Sequence, residues 1–330
     1  MTIRTRLILI ISLGCICAMA IALNTPGRGE TEPASFIPPD SDQRAAAVGS
    51  LRNISAQLRL AFDPDSDSFS SVPAPGPSDW LANHSELGQT FAQYVRSQPN
   101  RPDLIRGKLY FQPLGEFDEG KSPDLKRLQD FASRFFALPV EILPGIKLEG
   151  LPIQTRQHPE GHRQLLSTDV LTWLSNRIPA DAYCMLAVTM TDLYPDPEWN
   201  FVFGQASLRN RVGVYSFARY DPAFYGRQPD EQTEKLVLER SCKVLAHETG
   251  HMFGIRHCVH YHCLMNGSNH LDESDANPIH LCPVCLRKMH HAKAFDVENR
   301  YQALAEFCES VNWQETARWY SVRATRLKSR

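Results

Sequence analysis

The sequence carries almost no net charge, formally −2 over 330 residues. No bulk electrostatic attraction to nucleic acid is therefore expected. It has no internal repeat. It has no nucleophile elbow and no glycine-rich phosphate loop, so serine-type acyl transfer and nucleotide chemistry lack their usual sequence supports. Long apolar runs are missing except for one, Leu7 to Leu23, which follows Arg4 and Arg6. A short basic stretch ahead of an uncharged apolar run reads as a secretory signal or a short membrane anchor. Residues 1–23 are assigned that role. A secreted or membrane-anchored protein is expected, with membrane association through residues 7–23.

The remaining composition, 42% hydrophobic and 22% charged, is that of a globular chain long enough to bury a full core. Residues 24–40 are rich in Pro, Gly, Glu and Thr and read as a linker. Residues 41–68 form an N-terminal helical region, because Ala47, Val48, Leu51, Ile54, Leu58 and Ala61 recur at helical spacing over 42–62. Residues 69–315 alternate strand and helix patterns and are taken as the catalytic domain. The basic stretch 316–330 reads as a solvated tail.

Within 69–315, strands are expected at Lys108 to Gln112, Val140 to Leu143, Tyr183 to Met190, Asn200 to Ala206 and Val212 to Phe217. The apolar run from Tyr183 suits a strand buried on both faces. Helices are expected from Ser122-Pro123, from Ser167 to about Arg177, and from about Glu231 to Phe253. The layout is α/β, with helices packed on a mixed sheet.

The last of those helices carries His247-Glu248-Thr249-Gly250-His251. Residues four apart lie on one helix face, so two imidazoles can reach one metal ion. Glu248 stands one step round, beside the open coordination position. Gly254 can take the left-handed conformation that ends a helix sharply, bringing His257 back as a third ligand. Three nitrogens and a water make the open tetrahedral zinc site of a catalyst. The motif predicts a zinc-dependent peptidase with Glu248 as general base and a peptide or protein as substrate. A zinc-binding interaction protein with a weakly active site is the alternative; a hydrolase of non-peptide amides also fits. A monomer is expected.

Cysteines cluster immediately afterwards. Cys258-x4-Cys263 and Cys282-x2-Cys285 supply two close pairs, the spacing of a closed structural zinc site. Two disulfides are the rival arrangement. Two zinc ions per chain are thus expected, one catalytic and one structural. Cys184, Cys242 and Cys308 read as core. His260, His262, His270, His280, His290 and His291 read as surface or supporting residues, not ligands.

The string His-Glu-x-x-His-x-x-Gly-x-x-His resembles the metzincin peptidases. Its continuation, Cys258-x4-Cys263-x-Met265 and then Cys282-x2-Cys285, is similar to the archaemetzincins. So are Pro77-Ser78-Asp79-Trp80, Asp192-Leu193-Tyr194-Pro195, Trp199 to Leu208, Phe217-Ala218-Arg219-Tyr220 and Gly267-Ser268-Asn269-His270-Leu271. The likeness runs from about residue 70 to 312. It implies a metzincin-like zincin fold: an upper α/β subdomain with the active-site helix, and a smaller zinc-stapled C-terminal subdomain after Gly254. It further implies that Met265 lies beneath the metal and that the strand near Asn200 to Ala206 edges the cleft, where an extended peptide can pair.

Overall fold

The computed structural model describes residues 36–328. The apolar segment 7–23 and most of the 24–40 linker lie outside the described residues. The expected secreted or membrane-anchored placement is corrected: no helix among the described residues is long and apolar enough to cross a membrane.

Four short helices open the described part of the chain: α1 (Ser41–Val48), α2 (Ala56–Ala61), α3 (Trp80–Asn83) and α4 (Phe91–Arg96). The single helix expected over 42–62 is broken in two. Gly49, at φ +77°, ends α1, and Ser55 starts α2 by accepting from the Leu58 N–H.

The α/β portion follows with β1 (Lys108–Leu114), α5 (Leu125–Phe136), β2 (Val140–Ile142), β3 (Thr155–Gln157), β4 (Arg163–Leu166), α6 (Ser167–Ser175), β5 (Ala182–Thr189), β6 (Asp192–Tyr194), β7 (Gly204–Ser207) and β8 (Val212–Ser216). The main sheet has the order β2-β1-β5-β8-β7. Its first four strands are parallel, and β7 adds an antiparallel edge. A smaller sheet, β3-β4-β6, stands beside it. The β3–β4 hairpin has no counterpart among the expected strands.

The long helix α7 (Thr233–Met252) packs against β7 and β8 of the main sheet and against α5, and α8 (Leu271–Ala276), α9 (Pro283–Ala292), α10 (Val297–Ser310) and α11 (Gln314–Lys328) follow it. Strand β5 is buried along its whole length. Its pleat divides the core. Cys184, Leu186 and Val188 join the cluster that contains α5 and α7, while Met185 and Ala187 join the one that contains α6. Helix α5 buries Leu128, Phe131, Phe135 and Phe136 from one face, each worth about 1.5–3 kcal/mol of transfer energy.

Helix α11 overturns the reading of 316–330 as a solvated tail. It buries Ala317, Tyr320, Ala324 and Leu327 at helical spacing. Arg323 lies in the same stripe and is 1% exposed. Its guanidinium donates to Ser66 Oγ and to the carbonyls of Leu60 and Ala61.

Candidate active site and cysteine cluster

Helix α7 ends where the candidate site begins. His247, Glu248 and His251 are all buried near its C-terminus. At Gly254 φ is +78°, and a Cβ there would stand 2.8 Å from Pro99 Cβ. Both the left-handed turn and the close approach demand glycine. The Gly254 N–H donates to the His251 carbonyl at 2.7 Å and the Ile255 N–H to the Gly250 carbonyl at 3.2 Å, which closes the helix. His257 then folds back toward the two helical histidines.

One donor nitrogen from each of His247, His251 and His257 lies within 4.8 Å of the others. The Nε2 atoms of His247 and His251 face each other at 3.0 Å. Each Nδ1 is engaged elsewhere: on the Leu264 carbonyl for His247, the Ile255 carbonyl for His251 and Glu86 Oε1 for His257, at 2.8, 2.6 and 2.7 Å. Carbonyl and carboxylate oxygens only accept, so each Nδ1 carries the proton and each Nε2 keeps its lone pair. Histidine ligands are commonly held this way by their outer partners.

Glu248 is buried beside these rings, and its Oε2 has no hydrogen-bond partner. Burial pushes its carboxyl up to about 7, against a smaller pull downward from His251. An unsatisfied buried carboxylate oxygen next to three converging lone pairs is the environment expected around a zinc ion and its water. The donor set therefore suits zinc.

Met265 packs beneath the helix. A Cβ on Gly250 would meet its Sδ at 2.6 Å, so the glycine inside the motif makes room for this sulfur. The turn that carries Met265 is tied by Asn266, whose side-chain amide donates to the carbonyls of Cys258 and Tyr261 and whose oxygen accepts from the Cys263 N–H. Sequence reading passed over Asn266.

Cys258, Cys263, Cys282 and Cys285 are buried and unbridged. Their sulfurs all lie within 4.8 Å of one another, and Cys258 Sγ and Cys282 Sγ are 3.6 Å apart. A tetrahedral zinc with bonds of about 2.3 Å separates its sulfurs by about 3.8 Å; a disulfide would bring them to about 2.05 Å. The N–H groups of Met265 and Cys282 point at Cys263 Sγ. Hydrogen bonds from the surrounding thiols draw Cys258 well below its ordinary range. Cys282 is the N-cap of α9, and burial pushes its thiol up, followed by hydrogen bonds with the other three sulfurs. Cys184, Cys242 and Cys308 are buried core residues, as expected.

A cleft of about 570 Å³ opens onto His251 and His257. One wall comes from residues 80–100, including Trp80, Glu86 and Leu87; Ala206 and Leu208, at the end of edge strand β7, stand in the other. The Trp80 and His257 rings meet at 84°, with their centres 5.1 Å apart. Trp80 is seated by Gly267, where a Cβ would lie 2.5 Å from Trp80 Cδ1, and by Glu273, which accepts its backbone N–H. Burial raises the Glu86 carboxyl, but the hydrogen bond it accepts from His257 works the other way, and the carboxyl ends below its ordinary value. The sequence offered a pointer to Trp80 only through the likeness around Pro77 to Trp80, and none to Glu86.

The surplus histidines lie outside both groups. His270 caps α8, His280 stacks on Trp319 at 3.7 Å, and His290 and His291 pack against Phe62 and Phe91.

Comparison with known proteins gives consistent matches. The family described as Peptidase family M54 matches residues 174–291. Archaemetzincin-2 of Macaca fascicularis is 37% identical over 281 residues, covering 76% of this chain and 78% of that one. The figures for archaemetzincin-2 of Homo sapiens are the same. The solved archaemetzincin of Methanopyrus kandleri is 29% identical, with 58% of this chain and 97% of that chain covered and a TM-score of 0.45.

Proposed function

This chain belongs to the archaemetzincin family and is a zinc metallopeptidase; on that premise we propose that His247, His251 and His257 bind its catalytic zinc through Nε2, with Glu248 as the general base. The observation that carries the assignment is the three-fold pattern of engaged Nδ1 atoms, which leaves three lone pairs facing one point. Zinc, when bound, supplies a Lewis acid for the scissile carbonyl and lowers the pKa of water to about 7. Glu248 takes the proton of the attacking water on its unpartnered Oε2 and delivers it to the leaving amine. The group His247, His251 and His257 includes no fourth protein donor among the described residues, which leaves room for solvent. Glu86 holds the His257 ring, and Trp80 packs against it at a steep angle.

Cys258, Cys263, Cys282 and Cys285 hold a second, structural zinc, making two ions per chain. The sulfur spacing and the N–H groups directed at Cys263 support this over two disulfides. An extended peptide lies along β7, whose outer edge faces no other strand of the main sheet, with its side chains in the cleft beside Ala206 and Leu208.

The decisive variant is Glu248→Gln. It should keep its zinc by elemental analysis and lose hydrolysis of a mixed peptide library by at least a hundredfold, on the order of what general acid–base catalysis contributes. Hydrolysis that persists in this variant, and is still abolished by a chelator, would remove Glu248 from the role.

A further inference from the structure

The loop that reaches over the histidine group holds a large apolar side chain out in the cleft. Leu87 is 97% exposed and lines the cleft beside His257. Its neighbours fix it there. Glu86 accepts from His257 Nδ1 at 2.7 Å. Gly88 stands at φ +64°, where a Cβ would lie 2.5 Å from Val259 Cγ2, so the loop is pressed against the chain that follows His257. The buried Gln89 side chain donates to the Gly254 carbonyl at 3.3 Å and accepts from the Arg256 N–H at 3.2 Å. A single exposed leucine is ordinary on a protein surface. Here the residues on both sides are pinned to the histidine segment, and Leu87 alone is left facing solvent. It gains free energy only when something apolar covers it.

The rest of the cleft matches that side chain. Trp80, Pro99, Leu208 and Ile255 supply further apolar wall, and the volume of about 570 Å³ is that of a ligand site. The Glu86 carboxylate is engaged by His257. Arg256 is exposed, so its guanidinium keeps its hydration at the rim.

The opposite side of the site is closed. His247 and Glu248 line a cavity of about 10 Å³ with Asn266, Ser268 and Asn277, scarcely room for one water molecule. It shares no lining residue with the cleft. Glu248 passes a proton to the leaving amine, so the amine half of a peptide belongs on its side and the acyl half in the cleft. Strand direction agrees. A strand added antiparallel to β7 puts its N-terminal half, the acyl half, against Ala206 and Leu208 at the end of β7.

We propose that this peptidase chooses its cleavage point on the acyl side of the scissile bond, where Leu87 packs against a large apolar side chain of the substrate. The first residue on the amine side is small. The inference rests on the assignment of Glu248 as general base.

The test digests a mixed peptide library with the zinc-loaded full chain and reads the new ends by mass spectrometry. The new C-termini carry the acyl side. They should be enriched in Leu, Met or Phe at one fixed position, and the new N-termini in Gly, Ala or Ser. For a peptide with Leu at the selected position, kcat/KM should exceed that of its Ala counterpart by about tenfold or more. Leu87→Ala should reduce this ratio roughly fivefold. Leu87→Glu should move the preference toward Lys and Arg at the same position, a change that loss of structure does not produce. Leu87 is exposed, and unchanged zinc content by elemental analysis shows that the site survives in both variants. Selectivity that resides on the amine side, an acidic acyl-side preference, or ratios untouched by both variants would each overturn the proposal. Wild type without chelator-sensitive hydrolysis would overturn the site assignment first and this inference with it.

Discussion

The chemistry of the cleft is set by single atoms, and two of them yield measurable consequences. Glu86 reaches His257 from a loop far away in sequence, and its carboxylate accepts the hydrogen bond of the Nδ1–H. An outer carboxylate raises the basicity of the ligand nitrogen and fixes its ring, an effect worth roughly ten- to a hundredfold in metal affinity. Glu86→Ala should therefore weaken zinc binding about tenfold in competition with a chromophoric chelator. Glu86→Gln should lose less, because its amide oxygen still accepts; equal affinity in all three proteins would leave Glu86 with packing alone. Glu248 predicts a pH dependence of stability in the metal-free protein. Burial lifts its folded pKa to about 7, above the ordinary glutamate value of 4.5. Between those values the folded state holds a proton that the unfolded state has released, so stability falls as pH rises through this window. The shift corresponds to about 3 kcal/mol. Metal-free Glu248→Gln lacks that loss, so the stability difference between the two proteins, from urea unfolding at pH 5 and pH 8, should move by about this amount. A difference that does not change with pH would mean that solvent reaches the carboxyl.

At the level of elements, legibility followed the range of the contacts. Helix α7 was expected at about 231–253 and runs from Thr233 to Met252, because its histidine spacing and its glycine stop are local signals. The parallel strands were legible from their apolar runs. The wall built from Trp80 to Asn100 was not, since Trp80 is seated by Gly267 and Glu273 far downstream and nothing near residue 80 encodes that pairing. Neither was the β3–β4 hairpin, whose polar strands give no clear alternation of period two. The cysteine segment was legible as a metal-type spacing, and its position makes a prediction. Cys258 adjoins His257, and its backbone N–H donates to the Met265 carbonyl at 2.7 Å. The four-thiol site therefore braces both the third imidazole and the methionine floor. Cys285→Ser should lose one zinc per chain and, with it, most of the hydrolysis, although Cys285 touches no catalytic ligand. Full activity with one zinc fewer would show that the turn holds itself through Asn266.

Across the whole molecule, the two ends of the described chain close around the C-terminal helices. The charges of 316–330 hid this in the sequence, because Arg323 falls among the buried positions of α11 where an apolar residue would have marked the helix face. Its guanidinium lies under Phe69, 4.7 Å from the ring centre, and binds carbonyls at the end of α2. Arg287 of α9 likewise holds the Val48 and Ser50 carbonyls after α1. The first two helices are thus fastened to α9 and α11 by charged donors on backbone oxygens, of which the Ala61 carbonyl is buried and the Ser50 carbonyl exposed; a buried bond of this kind contributes about 1.5–3 kcal/mol. Arg323→Met preserves the packing volume but leaves those oxygens unsatisfied, so it should cost roughly 2–4 kcal/mol in urea unfolding. Because one continuous core runs from Ala47 to Leu327, the loss should appear as a shift of a single transition with its slope unchanged. A separate early transition in Arg323→Met, with the main one unmoved, would instead make residues 41–68 a unit that docks on an independently stable catalytic body.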